Sequence, residues 1–183
     1  MFIWLLVLLV GESIAPARAQ DWGAADRATR RLAPSVFRNL PVVVRTELER
    51  RGCTIPQPFA ATGPANVISG RFTSRSRTDW AVLCSRDRTS SILVFRGGST
   101  AAVVDIASEP DVNSLQGVGN GAIGYSRALG VADAKYIRDH YDRYDGPKPP
   151  PLDHDGINDI FLEKGSAVWY WDGGRWLKLT GAD

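Results

Sequence analysis

The sequence predicts an α+β domain dominated by strands, with a four-stranded antiparallel meander, a second small antiparallel sheet near the C-terminus, two short helices and one disulfide. Three observations lead to this class. Short runs of β-branched and aromatic residues follow one another closely over residues 66–106, and three more lie after residue 159. Short connections make consecutive strands antiparallel neighbours. Helical periodicity is confined to two short segments.

Composition is that of an ordinary globular protein. Of 183 residues, 44% are hydrophobic and 23% are charged, and 18 glycines with 11 prolines predict many turns. The 22 basic and 20 acidic residues give a formal charge of only +2. This balance provides no electrostatic basis for a nucleic-acid partner.

Residues 1–19 have the form of a cleavable secretory signal. An apolar run that starts at Phe2 is too short to span a bilayer, and a small-x-small tripeptide that ends at Ala19 predicts cleavage after that residue. We therefore expect a periplasmic or secreted protein that has no membrane span after signal cleavage. Because no Lys or Arg precedes the apolar run, an interfacial anchor or a mis-assigned start codon is the alternative.

The two cysteines, Cys53 and Cys84, predict a disulfide. Oxidising compartments favour the bond, and two thiols at this spacing match no zinc motif. In the chain-entropy model such a bridge is worth roughly 3–4 kcal/mol.

Residues 20–38 are polar, rich in arginine and poorly periodic, which predicts a mobile or loosely docked N-terminal arm. A single α+β domain is expected over residues 39–183, with sub-parts at 39–107 and 120–183.

The first predicted helix covers about residues 40–51. Leu40, Val44 and Leu48 recur at every fourth position, and Gly52 ends the run. Cys53 follows directly, so the predicted disulfide ties this helix to the strand that carries Cys84.

The meander is expected after a proline-rich loop. Its four strands are predicted at residues 66–72, 79–84, 91–95 and 101–106.

The C-terminal part begins with a candidate strand at 122–129. Asp133 is expected to cap a short helix at about 134–142, and a proline-rich spacer follows at 146–151. The second sheet is predicted from strands at residues 160–162, 167–171 and 175–179.

An acidic turn over residues 153–159 carries carboxylates at spacings of two and four. Its pattern resembles the calcium loops of integrin-type FG-GAP (VCBS-like) repeats, and the resemblance implies Asp153, Asp155 and Asp159 as Ca²⁺ ligands. The first acidic position of the family pattern falls on Pro151. The alternative is a turn whose carboxylates cap backbone amides without a metal. No other cofactor is expected.

The resemblance extends to the first strands. Gly70-Arg71-Phe72, followed by the run that starts at Asp79, looks like the blade pattern of the same superfamily. The stretches 53–57, 79–85 and 153–183 are similar to uncharacterised exported bacterial proteins, a likeness that implies no activity.

The only weak catalytic candidate is His154. Flanking carboxylates favour its charged form, which could act as a general acid in a hydrolase-like enzyme together with Asp153, Asp155 or Asp159. The motifs of serine hydrolases, zinc proteases and thiol oxidoreductases do not occur in the sequence.

Aromatic residues of the last hairpin are candidate ligand-binding residues. Alternation places Trp169 and Trp171 on one face of a strand and Tyr170 on the other, with Trp176 across the hairpin. If exposed, such a face could stack on a sugar ring or anchor a partner protein. The alternative is that it packs as core.

The leading interpretation is an exported, non-catalytic module that binds a protein or an envelope component. The hydrolase-like enzyme that uses His154 and a calcium-stabilised structural module are the alternatives.

Overall fold

The computed structural model describes residues 20–182, so the predicted signal segment 1–19 lies outside the described residues. The helices are α1 (Trp22–Ala28), α2 (Val42–Arg50) and α3 (Ala134–Tyr144). The strands are β1 (Arg31–Leu32), β2 (Ile55–Pro56), β3 (Val67–Gly70), β4 (Asp79–Arg86), β5 (Thr89–Phe95), β6 (Val103–Pro110), β7 (Leu115–Gly117), β8 (Ile123–Tyr125), β9 (Arg127–Ala132), β10 (Gly156–Phe161), β11 (Gly165–Asp172) and β12 (Arg175–Thr180). Within the described range no helix combines the length and the apolar character needed to cross a membrane.

Two four-stranded antiparallel sheets dominate the fold. The first has the order β3-β4-β5-β6, which is the predicted meander, and the second has the order β12-β11-β10-β9. Two-stranded pairs, β1 with β2 and β7 with β8, complete the strands. The predicted class, a β-dominated α+β fold with two antiparallel sheets and one disulfide, is confirmed.

The second sheet begins earlier in the chain than its predicted strands. β9 precedes α3 and pairs with β10 along its whole length, so the proline-rich segment 146–151 connects a helix to a strand within one sheet and does not separate two sheets. The structure also contains α1, a third helix beyond the two that were predicted.

The elements stack in four layers, in the order α2, first sheet, second sheet, α3. Residues of β4 and β5 alternate between the two faces of the first sheet: Val82 and Leu93 pack under α2, whereas Leu83 and Ile92 pack toward the second sheet. On the far face of the second sheet a third cluster gathers under α3 around Ile137. The central strands are therefore buried on both faces, which explains why they read as continuous apolar runs.

Helix α2 is held by an apolar stripe and a disulfide. Val44 and Leu48, one turn apart, are fully buried, as the periodicity predicts. Cys53 follows the helix and is bonded to Cys84 in the middle of β4, which confirms the predicted disulfide. Closing this loop stabilises the fold by roughly 3–4 kcal/mol in the chain-entropy model.

Residues 20–38 carry regular structure where the sequence predicts a mobile or loosely docked arm. This range contains α1 and β1, and Arg31 places one guanidinium nitrogen 2.6 Å from both Asp26 and Asp111. Phe37 lies in the cluster under α2. The segment is fixed by ion pairs and by single apolar side chains rather than by an apolar stripe, and hydrophobic periodicity does not reveal such an attachment.

Asn66 joins the two sheets at a corner. Its Nδ2 donates to the carbonyls of Pro56 (2.7 Å) and Arg127 (3.1 Å), and its Oδ1 accepts from the Leu129 amide (2.9 Å). Its φ of 70° lies in the left-handed region, which asparagine tolerates better than most residues. One buried side chain thus links the end of β2, the start of β3 and the strand β9.

A buried carboxylate organises the end of the β4–β5 hairpin. Asp111 has no exposed surface and accepts hydrogen bonds from Arg31, from the Ser85 hydroxyl at 2.6 Å and from the Ser90 hydroxyl. Both serines belong to the first sheet, whereas Arg31 belongs to the N-terminal segment. Asp111 therefore attaches that segment to the sheet through an ion pair that is largely shielded from water.

Replacing Asp111 with Asn is expected to destabilise the protein by about 3 kcal/mol, because the change leaves the Arg31 charge half-paired in a buried position. Asp105→Asn is the matched control: its partner is Arg86, and both side chains of that pair are about two-fifths exposed. An exposed pair of this kind is worth less than about 1 kcal/mol. Urea unfolding of both variants measures the difference, and equal losses would contradict the role assigned to Asp111.

Candidate functional site

A cleft of about 530 Å³ opens where the edge of the first sheet meets the last hairpin. We call it the aromatic cleft. Its walls are the loop after β3, the segment that leads into β10, and the β11–β12 turn. The lining residues are Thr73, Ser74, Arg75, Pro151, Asp153, His154, Tyr170, Trp171, Asp172 and Gly173.

His154 is held in place in the cleft wall. Its ring stacks on Tyr170 with centroids 4.4 Å apart, its Nδ1 lies 3.1 Å from the Asp155 carbonyl oxygen, and its Nε2 lies 3.7 Å from Asp153 Oδ1. Only 9% of the residue is exposed. The imidazole is therefore oriented by a backbone carbonyl and an aromatic ring, with a carboxylate beside its other nitrogen.

Tyr170 ties the turn to the sheet. Its hydroxyl oxygen accepts from the Asp153 amide at 3.1 Å, and its proton is directed at the Pro151 carbonyl at 3.3 Å. Burial raises the pKa of this phenol above its ordinary value. The neutral hydroxyl is thus the form that holds the segment in which His154 sits.

Trp171 is fixed from the side of the first sheet. The guanidinium of Arg96 lies over its ring, 4.0 Å from the centroid, and Trp176 packs against it across the hairpin at 5.6 Å. A cation over an indole face is attracted by the ring quadrupole. The side chain therefore has a defined orientation at the edge of the cleft.

Asp79 positions one wall of the cleft and the neighbouring Arg96 turn from behind. It is fully buried at the start of β4, where one carboxylate oxygen accepts from the amide and the hydroxyl of Thr73, at 2.8 and 2.6 Å, and the other accepts from the Gly97 amide at 2.7 Å. Gly97 adjoins Arg96. One carboxylate thus fixes both the loop after β3 and the turn whose arginine covers Trp171. The sequence predicts Asp79 as the first residue of a strand and within the blade pattern, but not as a residue that organises a site; an acidic residue at the start of a buried strand is the signal that points to this role.

Of the four aromatic residues predicted to bind a ligand, two line the aromatic cleft and two pack in the core. Trp169 and Trp171 share one face of β11 and Tyr170 points to the other, as alternation predicts. Trp169 and Trp176 pack against the apolar layer between the sheets, whereas Tyr170 and Trp171 line the cleft.

The predicted acidic residues do not converge on one point. Asp153 lines the cleft and lies 3.3 Å from Arg75, whereas Asp155 accepts from the Arg71 amide at 2.9 Å. Asp159, on β10 of the second sheet, faces the first sheet. Through residues 20–182, no three His, Cys, Asp or Glu side chains cluster as a metal site requires. The calcium-stabilised module stays a prediction that these separate contacts do not support.

Asp159 belongs to a buried ion pair. Its two oxygens accept from Arg127 Nε and Nη2 at 2.8 and 2.9 Å, and Arg127 is only 3% exposed. The same guanidinium donates to the Ala107 carbonyl at 2.8 Å. Asp159 therefore joins β10 to β9 and to the first sheet, and its oxygens are committed to that contact.

The hydrolase-like interpretation requires His154 beside one of the acidic residues and a nucleophile, and the structure brings only part of this group together. Of the three candidate acids, Asp153 alone has a carboxylate beside the His154 ring. In the described chain, the hydrogen bonds of both histidines go to backbone carbonyls, from His154 to Asp155 and from His140 to Tyr136. Both cysteines are in the disulfide. No described nucleophile is therefore activated by an imidazole.

Comparison of the chain with protein-family models, with curated proteins and with solved structures finds no match in any of the three. The likeness to FG-GAP repeats and to exported bacterial proteins stays a prediction.

The raised pKa of Tyr170 predicts a late alkaline transition. Subtracting the ultraviolet pH titration of Tyr170→Phe from that of the wild type isolates the ionisation of Tyr170. The midpoint of this difference curve should lie above pH 10.0, the ordinary pKa of tyrosine. In urea the same difference should fall back to about 10. The neutral hydroxyl stabilises the fold fully below the unfolded-state pKa, and this stabilisation is lost as pH rises through the folded-state pKa. A native-state midpoint at or below the unfolded one would show that the phenol is not held as described.

Proposed function

We propose that the protein is an exported, non-catalytic binding module that holds a hydroxyl-rich glycan of the cell envelope in the aromatic cleft. The observation that carries this proposal is a cleft whose aromatic side chains are already fixed and whose rim carries carboxylates that remain half-exposed. Export and glycan binding are separate parts of the proposal, and each has its own support.

Export is supported by the disulfide. A buried disulfide such as Cys53–Cys84, which lies between α2 and the first sheet, forms and persists in an oxidising compartment. The signal-like segment 1–19 supplies the route, with cleavage after Ala19. The protein then works in the periplasm or outside the cell.

Preorganisation favours binding in the aromatic cleft. Arg96 fixes Trp171, and the Tyr170 ring fixes His154, so these side chains lose little conformational freedom when a ligand enters. Ordering a flexible side chain opposes association, and a fixed one avoids that cost. The volume of about 530 Å³ falls within the usual range for small-ligand sites.

The rim favours hydroxyl groups. The side chains of Asp153 and Asp172 are 48% and 41% exposed, so their oxygens can accept from a ligand. Ser74 lies in the wall formed by the loop after β3 and adds a hydroxyl that can donate or accept. Carboxylates beside an aromatic side chain match a sugar, because its hydroxyls can donate hydrogen bonds to the carboxylates while its C–H groups pack against the ring.

A protein partner fits the cleft less well. Stable protein interfaces bury a central apolar patch, often with an exposed aromatic anchor. The large apolar side chains that are exposed in the described chain, such as Val42 and Val43 on α2, lie elsewhere, and none lines this cleft. Charged groups surround it instead. A polar ligand of limited size is therefore the better match.

Export can be tested by intact mass measurement. Full-length chain expressed in a bacterium with a periplasm should be recovered from that compartment without residues 1–19. Its non-reduced mass should also lack the two thiol hydrogens, because Cys53 and Cys84 are bonded. A chain that keeps residues 1–19, or that carries free thiols after periplasmic expression, would overturn this part of the proposal.

Glycan binding can be tested by co-sedimentation with purified peptidoglycan sacculi. The wild type should sediment, and Trp171→Ala and Asp172→Asn should each lower the bound fraction at least several-fold, because they remove the ring edge and a rim acceptor. Trp22→Ala is the matched control, since Trp22 is an exposed tryptophan on α1 outside the cleft. Thermal melting establishes that each variant is folded.

Each result of this experiment decides the question. A wild type that stays in the supernatant overturns the glycan proposal in favour of a protein partner. Equal loss of binding in Trp22→Ala and Trp171→Ala places the contact outside the aromatic cleft and overturns the assigned site.

A further inference from the structure

A second cleft, of about 310 Å³, lies on the outer face of the second sheet beside the first turn of α3. We call it the α3 cleft. It is lined by Tyr136, Asn158, Ile160, Phe161, Glu163, Lys164, Gly165, Ser166 and Ala182. None of these residues lines the aromatic cleft, so the two are separate sites on the protein.

Asn158 brings an unpartnered polar group to this cleft. The residue is 7% exposed, and its Nδ2 donates to the Tyr136 hydroxyl at 2.9 Å. Its Oδ1 is buried and has no hydrogen-bond partner within residues 20–182. Exchanging the two ends of the amide leaves the nitrogen unpartnered instead. Since buried polar groups are nearly always paired, this carboxamide points to a missing partner.

Ser166 supplies a complementary donor. Its Oγ accepts from the Ala182 amide at 2.8 Å and lies 3.2 Å from the Tyr136 hydroxyl. The Tyr136 oxygen accepts from Asn158, and the bond between the two hydroxyls uses one hydroxyl proton, which we assign to Tyr136. Both acceptor positions of Ser166 are then filled, and its hydroxyl proton is left to donate.

The two groups lie close together. Asn158 and Ser166 both contact the same Tyr136 hydroxyl, and they project from neighbouring strands on the same face of the sheet. The cleft therefore presents one acceptor and one donor side by side. Ile160 in the same wall provides an apolar surface next to them.

We propose that the α3 cleft binds an acetamido group, in which a secondary amide carries a methyl group. The ligand N–H donates to Asn158 Oδ1, the ligand carbonyl accepts from Ser166 Oγ, and the methyl group packs on Ile160. The terminal torsion of asparagine is soft, so a small rotation of the carboxamide presents Oδ1 to the occupant. An ester lacks the N–H, and a carboxylate lacks the donor while placing its charge against Oδ1.

This site goes beyond the proposed function, because it concerns different residues and a different chemical group. Its experiment uses a probe that is not a glycan. Failure of sacculus binding in the aromatic cleft therefore leaves the α3 cleft proposal standing, and the reverse also holds.

Amide-resolved NMR titration of the isotope-labelled chain with N-methylacetamide tests the proposal. Saturable shifts are expected for the backbone amides of Gly165, Ser166 and Ala182. Methyl acetate, which has nearly the same shape but no N–H, should bind at least about tenfold more weakly, because Asn158 Oδ1 stays unpaired.

Two variants locate the contact. Asn158→Ala and Ser166→Ala should each weaken N-methylacetamide binding by about tenfold, whereas Asn113→Ala, at an exposed asparagine outside the cleft, should leave it unchanged. Equal affinity for the amide and the ester, or shifts confined to other residues, would overturn the proposal. If Asn158→Ala does not fold, the amide and ester comparison on the wild type still decides.

Discussion

Burial of both faces of the β4–β5 pair is the constraint on which the other layers depend. Alternate side chains of these strands pack under α2 or toward the second sheet, so no residue in the middle of either strand is free to be polar. The disulfide fixes α2 to one face through β4. The second sheet covers the other face. Its own outer face carries apolar side chains, which pack under α3. The four-layer order thus follows from two strands that have no face left for solvent.

Polar groups at the margins of this core must find partners inside the protein, because water does not reach them. Asp111 meets this need at the β4–β5 hairpin, Asn66 at the corner between the sheets, and Arg127 between β9 and the first sheet. Each of these side chains contacts segments that are distant in sequence. The buried polar contacts therefore define how the sheets and the N-terminal segment are positioned, whereas apolar packing supplies most of the driving force.

Local patterns and long-range contacts differ in what the sequence can reveal. Helix α2, the meander and the disulfide follow from periodicity, turn residues and cysteine count, and the sequence predicts all three. The attachment of residues 20–38 includes the ion pair between Arg31 and Asp111, a pairing that no local pattern encodes. The residues of the aromatic cleft likewise fall into those that the sequence predicts and those that only the fold reveals. The predicted His154 and Trp171 line it, but Asp79, at the start of β4, holds the loop after β3 and the Arg96 turn, and only the fold brings these segments together.

The helices are too short to cover the sheets they protect, and this mismatch leaves space for clefts. Helix α2 has nine residues and spans about 14 Å, whereas the eight residues of β4 extend about 26 Å. Beyond the end of α2, at Gly52, the sheet face changes from apolar to polar at Ser91 and borders an open cleft of about 570 Å³. Helix α3, at about 16 Å, likewise leaves the α3 cleft open beside its first turn. Because polar side chains such as Ser91 and Asn158 border these clefts, the clefts can remain open to ligands without exposing the core.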